Sequence, residues 1–151
     1  MVKGEAAKRV ADHAVTFDEF LAREAKEGRL ELPLKAIAER ALVHGHCHQK
    51  AFGVMGAVEH SLRLVPGLTV ETIQSSCCGM AGAFGYQAET REASMAMAEL
   101  SLLPAVRRAE PDALIVADGT SCRHQIADGA QRHALHVAEV LARALETAAT
   151  M

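Results

Sequence analysis

Four cysteines carry most of the chemistry this sequence offers: Cys47, Cys77, Cys78 and Cys122. They come from three separated segments, and two are adjacent in the string Ser75-Ser76-Cys77-Cys78-Gly79-Met80-Ala81-Gly82-Ala83-Phe84-Gly85. Neighbouring cysteines seldom bridge to each other, and a buried structural pair has no use for three crowding glycines. A metal or metal–sulfur group does need them, because Gly79 and Gly82 let the backbone turn and pass close to inorganic sulfur. Met1-Val2-Lys3-Gly4 does not open a signal peptide, so the cysteines read as metal or redox groups rather than a disulfide framework. Several readings stand side by side. Four thiolates suit an iron–sulfur cluster, but they also make a structural zinc site. Reversible thiol chemistry between Cys77 or Cys78 and a neighbour is a third, and small buried hydrophobes are the bland alternative.

Around these cysteines lie polar candidates. His44, His46 and His48 alternate, so in extended chain they share one face while Cys47 points to the other. His46 and His48 flank the cysteine and are the choices for a ligand or for hydrogen bonding to cluster sulfur; packed or solvated strand-end histidines are the plain alternative. Arg123, next to Cys122, is a candidate for offsetting anionic charge, or else an exposed side chain. Ser75 and Ser76 could donate to a cluster or cap the loop. Asp118 and Thr120 line a pocket or, more simply, cap the helix that follows. Met95 and Met97 flank a helix stripe and need no cofactor to explain them.

The elements that must position these groups alternate in type. Residues 1–40 read as a helical arm, with Thr16 and Glu19 forming a capping box, Phe17, Phe20 and Leu21 an apolar stripe, and Gly28 a stop. From residue 41 strands and helices follow in turn. Strands are expected at 41–44, 68–73 and 113–117. Helices are expected at about 49–64 and 85–103, then a short one closed by Gly129, and a last one marked by Val137, Val140, Leu141, Ala144 and Leu145. The helix after the cysteine pair should point its free N–H groups back at the loop, favouring an anionic ligand. The pattern predicts an α/β fold: a small parallel sheet with helices on both faces, an N-terminal helical arm, and a metal site at the strand C-terminal ends, where ligands gather in such sheets.

Composition narrows the function. At 151 residues the chain is long enough for one domain with its own core, and half its residues are hydrophobic. A net charge of −3, one Tyr and no Trp argue against nucleic acid. No apolar run approaches the roughly 20 residues of a transmembrane segment, so a soluble, cytoplasmic protein is expected.

The order Cys47, then Cys77-Cys78-Gly79, then Cys122 resembles the CCG, or cysteine-rich, domain of heterodisulfide reductase B subunits and glycolate oxidase iron–sulfur subunits. More closely, His44-Gly45-His46-Cys47-His48-Gln49-Lys50, Ser76-Cys77-Cys78-Gly79-Met80-Ala81-Gly82 and Gly119-Thr120-Ser121-Cys122-Arg123 resemble the C-terminal region of large FAD-linked oxidases. The resemblance implies an iron–sulfur electron-transfer domain, residues 41–151, serving a flavin that oxidises a 2-hydroxy acid. Cys47, Cys77, Cys78 and Cys122 would be the metal ligands. FAD would sit on another domain or partner, together with a second CCG repeat or a ferredoxin-like domain. The family motif closes with Cys-x-x-Cys, whereas Cys122 is followed by Arg123-His124-Gln125. Gln125 stands where a fifth cysteine would be, so the resemblance implies a four-thiolate [4Fe–4S] cluster unless His124 replaces the missing ligand. No flavin-binding pattern is present, so the chain alone is not expected to turn over a hydroxy acid. The alternative is a four-cysteine zinc or apo docking module for a flavoprotein. A third possibility is a catalytic iron with an open position.

Overall fold

Thr16 Oγ1 accepts the Glu19 N–H at 3.3 Å while the Glu19 carboxylate accepts the Thr16 N–H at 2.8 Å, the reciprocal cap that the sequence predicts. It starts α2 (Phe17–Lys26), which follows a first helix, α1 (Glu5–His13), that buries none of its residues. Gly28 ends α2 by taking a φ of 68°, a left-handed conformation that costs glycine little. The computed structural model describes residues 3–37 and 39–145; the outermost parts of the expected arm and domain, at 1–2 and 146–151, and residue 38, lie outside the described residues. α2 brings Leu21 into the core. The stretch after it is tied down where the Lys35 N–H reaches the Ala144 carbonyl and the Ile37 N–H the Pro66 carbonyl.

Four strands form one sheet: β1 (Arg40–Val43), β2 (Thr69–Thr72), β3 (Leu114–Val116) and β4 (Ala134–Leu135). All pairs are parallel and the order is β2-β1-β3-β4. Between them run α3 (Cys47–Ala51), α4 (Met55–Arg63), α5 (Arg91–Glu99), α6 (Leu102–Arg108) and α7 (Thr120–Ala130), with α8 (Val137–Ala144) last. The alternation of side chains along the strands splits the core in two. Ala41, Val43, Val116 and Leu135 pack with Leu21, Val58, Leu62, Val140 and Leu141 on one face. Ile115, Ala117 and Ala134 pack with Leu102, Val106 and Ile126 on the other. Helices thus cover both faces, as expected of parallel strands. The chain builds outward from β1 to β2, then returns across to β3, so the strand order reverses between β1 and β3. That is the switch point at which such sheets open a crevice beyond the strand ends.

Several local expectations need correction. The helix expected over 49–64 is two helices, because Gly53 takes a φ of 71° between them; the apolar spacing continues across the break. The helix expected from 85 begins only at Arg91, after a single 3-10 turn at Phe84–Tyr86. The free N–H groups of α5 therefore do not follow directly on the cysteine loop. Pro104 lies in the first turn of α6, where its missing N–H costs nothing. Gly129 lies inside α7, which ends instead at Gln131 with a φ of 53°. A side chain at Gly129 would meet Leu103 Cδ1 at 2.4 Å, so this glycine serves close helix packing. The short β4 is absent from the sequence-based expectation, since only its pairing with Ile115 and Val116 distinguishes it from loop.

Candidate metal centre

Each cysteine segment leaves the C-terminal end of a strand. β1 runs out through His44 into α3, whose first residue is Cys47. β2 delivers the loop with Cys77 and Cys78. β3 leads through Asp118 and Gly119 into α7, which carries Cys122 in its first turn. Since β1 lies between β2 and β3, the three segments converge. Cys78 and Cys122 are buried with their sulfurs 3.2 Å apart. Cys47, exposed, and Cys77, half-buried, form a second pair at 3.5 Å. All four thiols are free.

The buried pair shares a proton unequally. Cys122 donates to Cys78, which together with the Met80 N–H holds the Cys78 thiol below its usual range. The same bond, together with burial, pushes Cys122 up. Burial and the neighbouring Cys77 also raise Cys47. A metal binding both sulfurs of a pair would displace such a proton.

The loop between β2 and α5 is shaped around the sulfurs. The Gly79 N–H donates to Cys77 Sγ at 3.2 Å. Gly79 has a φ of 88°, and a Cβ there would lie 2.1 Å from the Ser94 carbonyl oxygen. Gly82 also has a left-handed φ of 69°, but a Cβ there would meet nothing within 4 Å. Gly79 therefore serves both turn and close approach, and Gly82 only the turn. Gly119 is a third tight position, because a Cβ would fall 2.4 Å from His46 and 3.0 Å from Cys122 Sγ.

The histidines separate by depth. His46 is the N-cap of α3: its Nδ1 accepts the His48 N–H at 3.3 Å, and its own N–H donates to Gln49. Burial lowers its pKa, with His48 adding to the effect. His48 is exposed and stacks loosely on Phe52. His44 instead is buried, with one ring nitrogen and the Cys78 and Cys122 sulfurs all within 4.8 Å of one another. The extended-chain alternation expected of the three histidines does not hold, because helix begins at Cys47; His46 and His48, chosen because they flank Cys47, lie at the start of that helix.

The remaining candidates are held elsewhere. Arg123 donates to the carbonyls of Ala117 and Asp118 at 3.0 and 2.6 Å, bracing the end of β3. His124 is exposed and bonds Tyr86 at 2.7 Å. Gln125, one turn beyond Cys122, is buried beside Gly79, and its amide donates to the Ser94 carbonyl and hydroxyl at 3.1 and 3.0 Å. Thr120 and Asp118 do not cap α7, which has no side-chain cap. Asp118 instead accepts the Val137 N–H at the start of α8 and a bond from Gln49, so it links α3 to α8. Lys50 escapes the sequence-based reading: its Nζ donates to the carbonyls of Ser75 and Ser76, tying α3 to the cysteine loop. Its position four residues after the N-cap of a Cys-bearing helix is the available signal.

Among the described residues, no helix is long and apolar enough to cross a membrane. No family model and no solved structure matches the chain. It is 31% identical over 140 residues, 91% of its length, to a subunit of the anaerobic glycerol-3-phosphate dehydrogenase of Escherichia coli, and it covers 34% of that subunit. It is also 40% identical over 60 residues to the D-2-hydroxyglutarate dehydrogenase of the same organism, covering 40% of this chain and 6% of that enzyme. The matching enzyme of Pantoea ananatis is 37% identical over the same length. The chain thus spans about a third of the length of the first relative, and its likeness is to parts of larger dehydrogenase proteins.

Proposed function

We propose that this chain is an iron–sulfur electron-transfer domain of a flavin-linked dehydrogenase acting on 2-hydroxy acids, with Cys47, Cys77, Cys78 and Cys122 as metal ligands. The observation that carries the reading is the convergence of four free thiols from three parallel strand ends at the switch point of the sheet. The donor set fits: thiolates are the soft ligands such clusters take, and four suffice for a [4Fe–4S] cluster. Bound there, the cluster would accept and release single electrons. The chain's own groups would tune it through the Gly79 N–H on Cys77 Sγ and through burial of the Cys78–Cys122 side. Cys47 and Cys77 form the more exposed edge, so electrons would enter or leave there. The flavin belongs to another domain or subunit in this reading, in keeping with relatives that are larger dehydrogenases.

A second reading rests on one geometric observation. Within each cysteine pair the sulfur separation, 3.2 or 3.5 Å, approaches the edge of about 3.8 Å expected for a tetrahedral ion with metal–sulfur bonds of about 2.3 Å. A single zinc ion would then serve a docking module. Iron, sulfide and zinc content of protein purified without oxygen, with an absorption spectrum, separates the two. Iron and sulfide in near-equal amounts with visible absorption are the expected result; zinc alone would replace the proposal with the docking module, and no metal would overturn both.

A further inference from the structure

We infer that His44 is a nitrogen ligand of this centre, its Nε2 taking one ligand position beside the Cys78 and Cys122 sulfurs; the inference rests on the metal-centre reading above. His44 is 1% exposed and stands at the end of β1. Its Nδ1 lies 2.7 Å from Ser75 Oγ, while its Nε2 is buried and has no hydrogen-bond partner among the described residues. A histidine that merely fills a core uses both ring nitrogens or leaves one to solvent. This one does neither, and its ring lies against the two most buried thiols.

The surroundings orient the ring as metal-bound histidines are oriented. A ligating imidazole gives its other N–H to an acceptor, which fixes the tautomer and turns the lone pair to the metal. Ser75 Oγ can accept from Nδ1, and Ser75 is itself held by Lys50, whose Nζ donates to its carbonyl. The competing donors are engaged: His46 caps α3, His124 bonds Tyr86, and the Gln125 amide is held by Ser94. Three protein atoms from three strand ends, two sulfurs and one nitrogen, therefore meet inside the fold. Cys47 and Cys77 form a separate, more exposed pair.

The test is nitrogen hyperfine coupling in the metal-loaded chain. The full chain, labelled with 15N-histidine, is loaded anaerobically with ferrous iron and sulfide, reduced, and measured by pulsed electron paramagnetic resonance. The expected result is a histidine nitrogen coupled as strongly as a directly bonded one. It should survive in His46→Ala and His48→Ala and disappear in His44→Cys, which retains iron. Only weak coupling, or coupling that persists in His44→Cys, overturns the assignment. Failure of that variant to fold does not block the decision, since absence of a strongly coupled nitrogen in the unaltered chain already refutes it. If the chain takes up no iron and sulfide, the iron–sulfur reading fails by itself. The same labelled chain is then loaded with cobalt(II), where strong nitrogen coupling sustains His44 and its absence overturns it. Uptake of neither metal overturns both.

Discussion

Replacing Gly79 and Gly82 by alanine, separately, tests whether the cysteine loop is held against α5 as described. Both glycines have left-handed φ values, 88° and 69°, so alanine at either site introduces about 1–2 kcal/mol of backbone strain. Reduced freedom of the unfolded chain returns about 0.4–1 kcal/mol in each case. Gly82→Ala meets nothing within 4 Å, so its net cost should be about 1 kcal/mol. Gly79→Ala adds a Cβ 2.1 Å from the Ser94 carbonyl oxygen and 3.2 Å from Gln125 Nε2. The first is backbone of a packed helix and cannot swing aside, so overpacking adds about 1–3 kcal/mol, for a total of about 2–4. In a chain of this size 1 kcal/mol shifts Tm by about 2–4 °C, so the expected losses are about 2–4 °C for Gly82→Ala and about 4–16 °C for Gly79→Ala. Thermal unfolding of the metal-free chain under reducing conditions, followed by circular dichroism, measures both. Equal losses would refute the close approach of residue 79 to Ser94.

Burial pushes Asp18 up to about 6, Asp118 adds to the rise, and His136 and Ser61 oppose it. A carboxyl raised in the native state stabilises only when neutral, so its contribution is complete below the unfolded value of 3.8 and is lost as pH rises through about 6. Asp18→Asn should therefore gain about 1–3 kcal/mol over the unaltered chain at about pH 7 and little at about pH 4. Urea unfolding at both values checks this, and a gain that is the same at each would refute it. Cys77→Ser and Cys78→Ser should each lose bound metal while keeping the circular dichroism of the native sheet; full metal content in both would remove them from the ligand set. Gln125→Cys gives up two bonds to Ser94 and should cost the metal-free chain about 1–3 kcal/mol. It also places a thiol one turn past Cys122, so the absorption spectrum of the loaded chain should change.

Much of this protein is local enough to be determined by its sequence. The capping box at Thr16, the stop at Gly28, the apolar strand at 114–116 and the strand–helix alternation all depend on neighbours within a few residues. Together they require a parallel α/β sheet, and the cysteines then fall at strand ends without further information. Where helices begin and break was less legible. Apolar spacing runs through Gly53, and the loop after Cys78 has no clear cap before Arg91, so periodicity alone sets those boundaries wrongly. What only the tertiary structure decided is which groups meet. Strand order is a long-range property, and placing β1 between β2 and β3 pairs Cys78 with Cys122 and leaves Cys47 with Cys77 at the surface. Burial of His44 rather than His46 or His48 follows from where β1 gives way to α3, since one residue of strand more or less turns a side chain to the opposite face. Gln125 lies beside Gly79 only because α7 packs against the helix that carries Ser94. These are contacts between segments tens of residues apart, and the free energy that selects them comes from the whole core, which no short stretch of sequence contains.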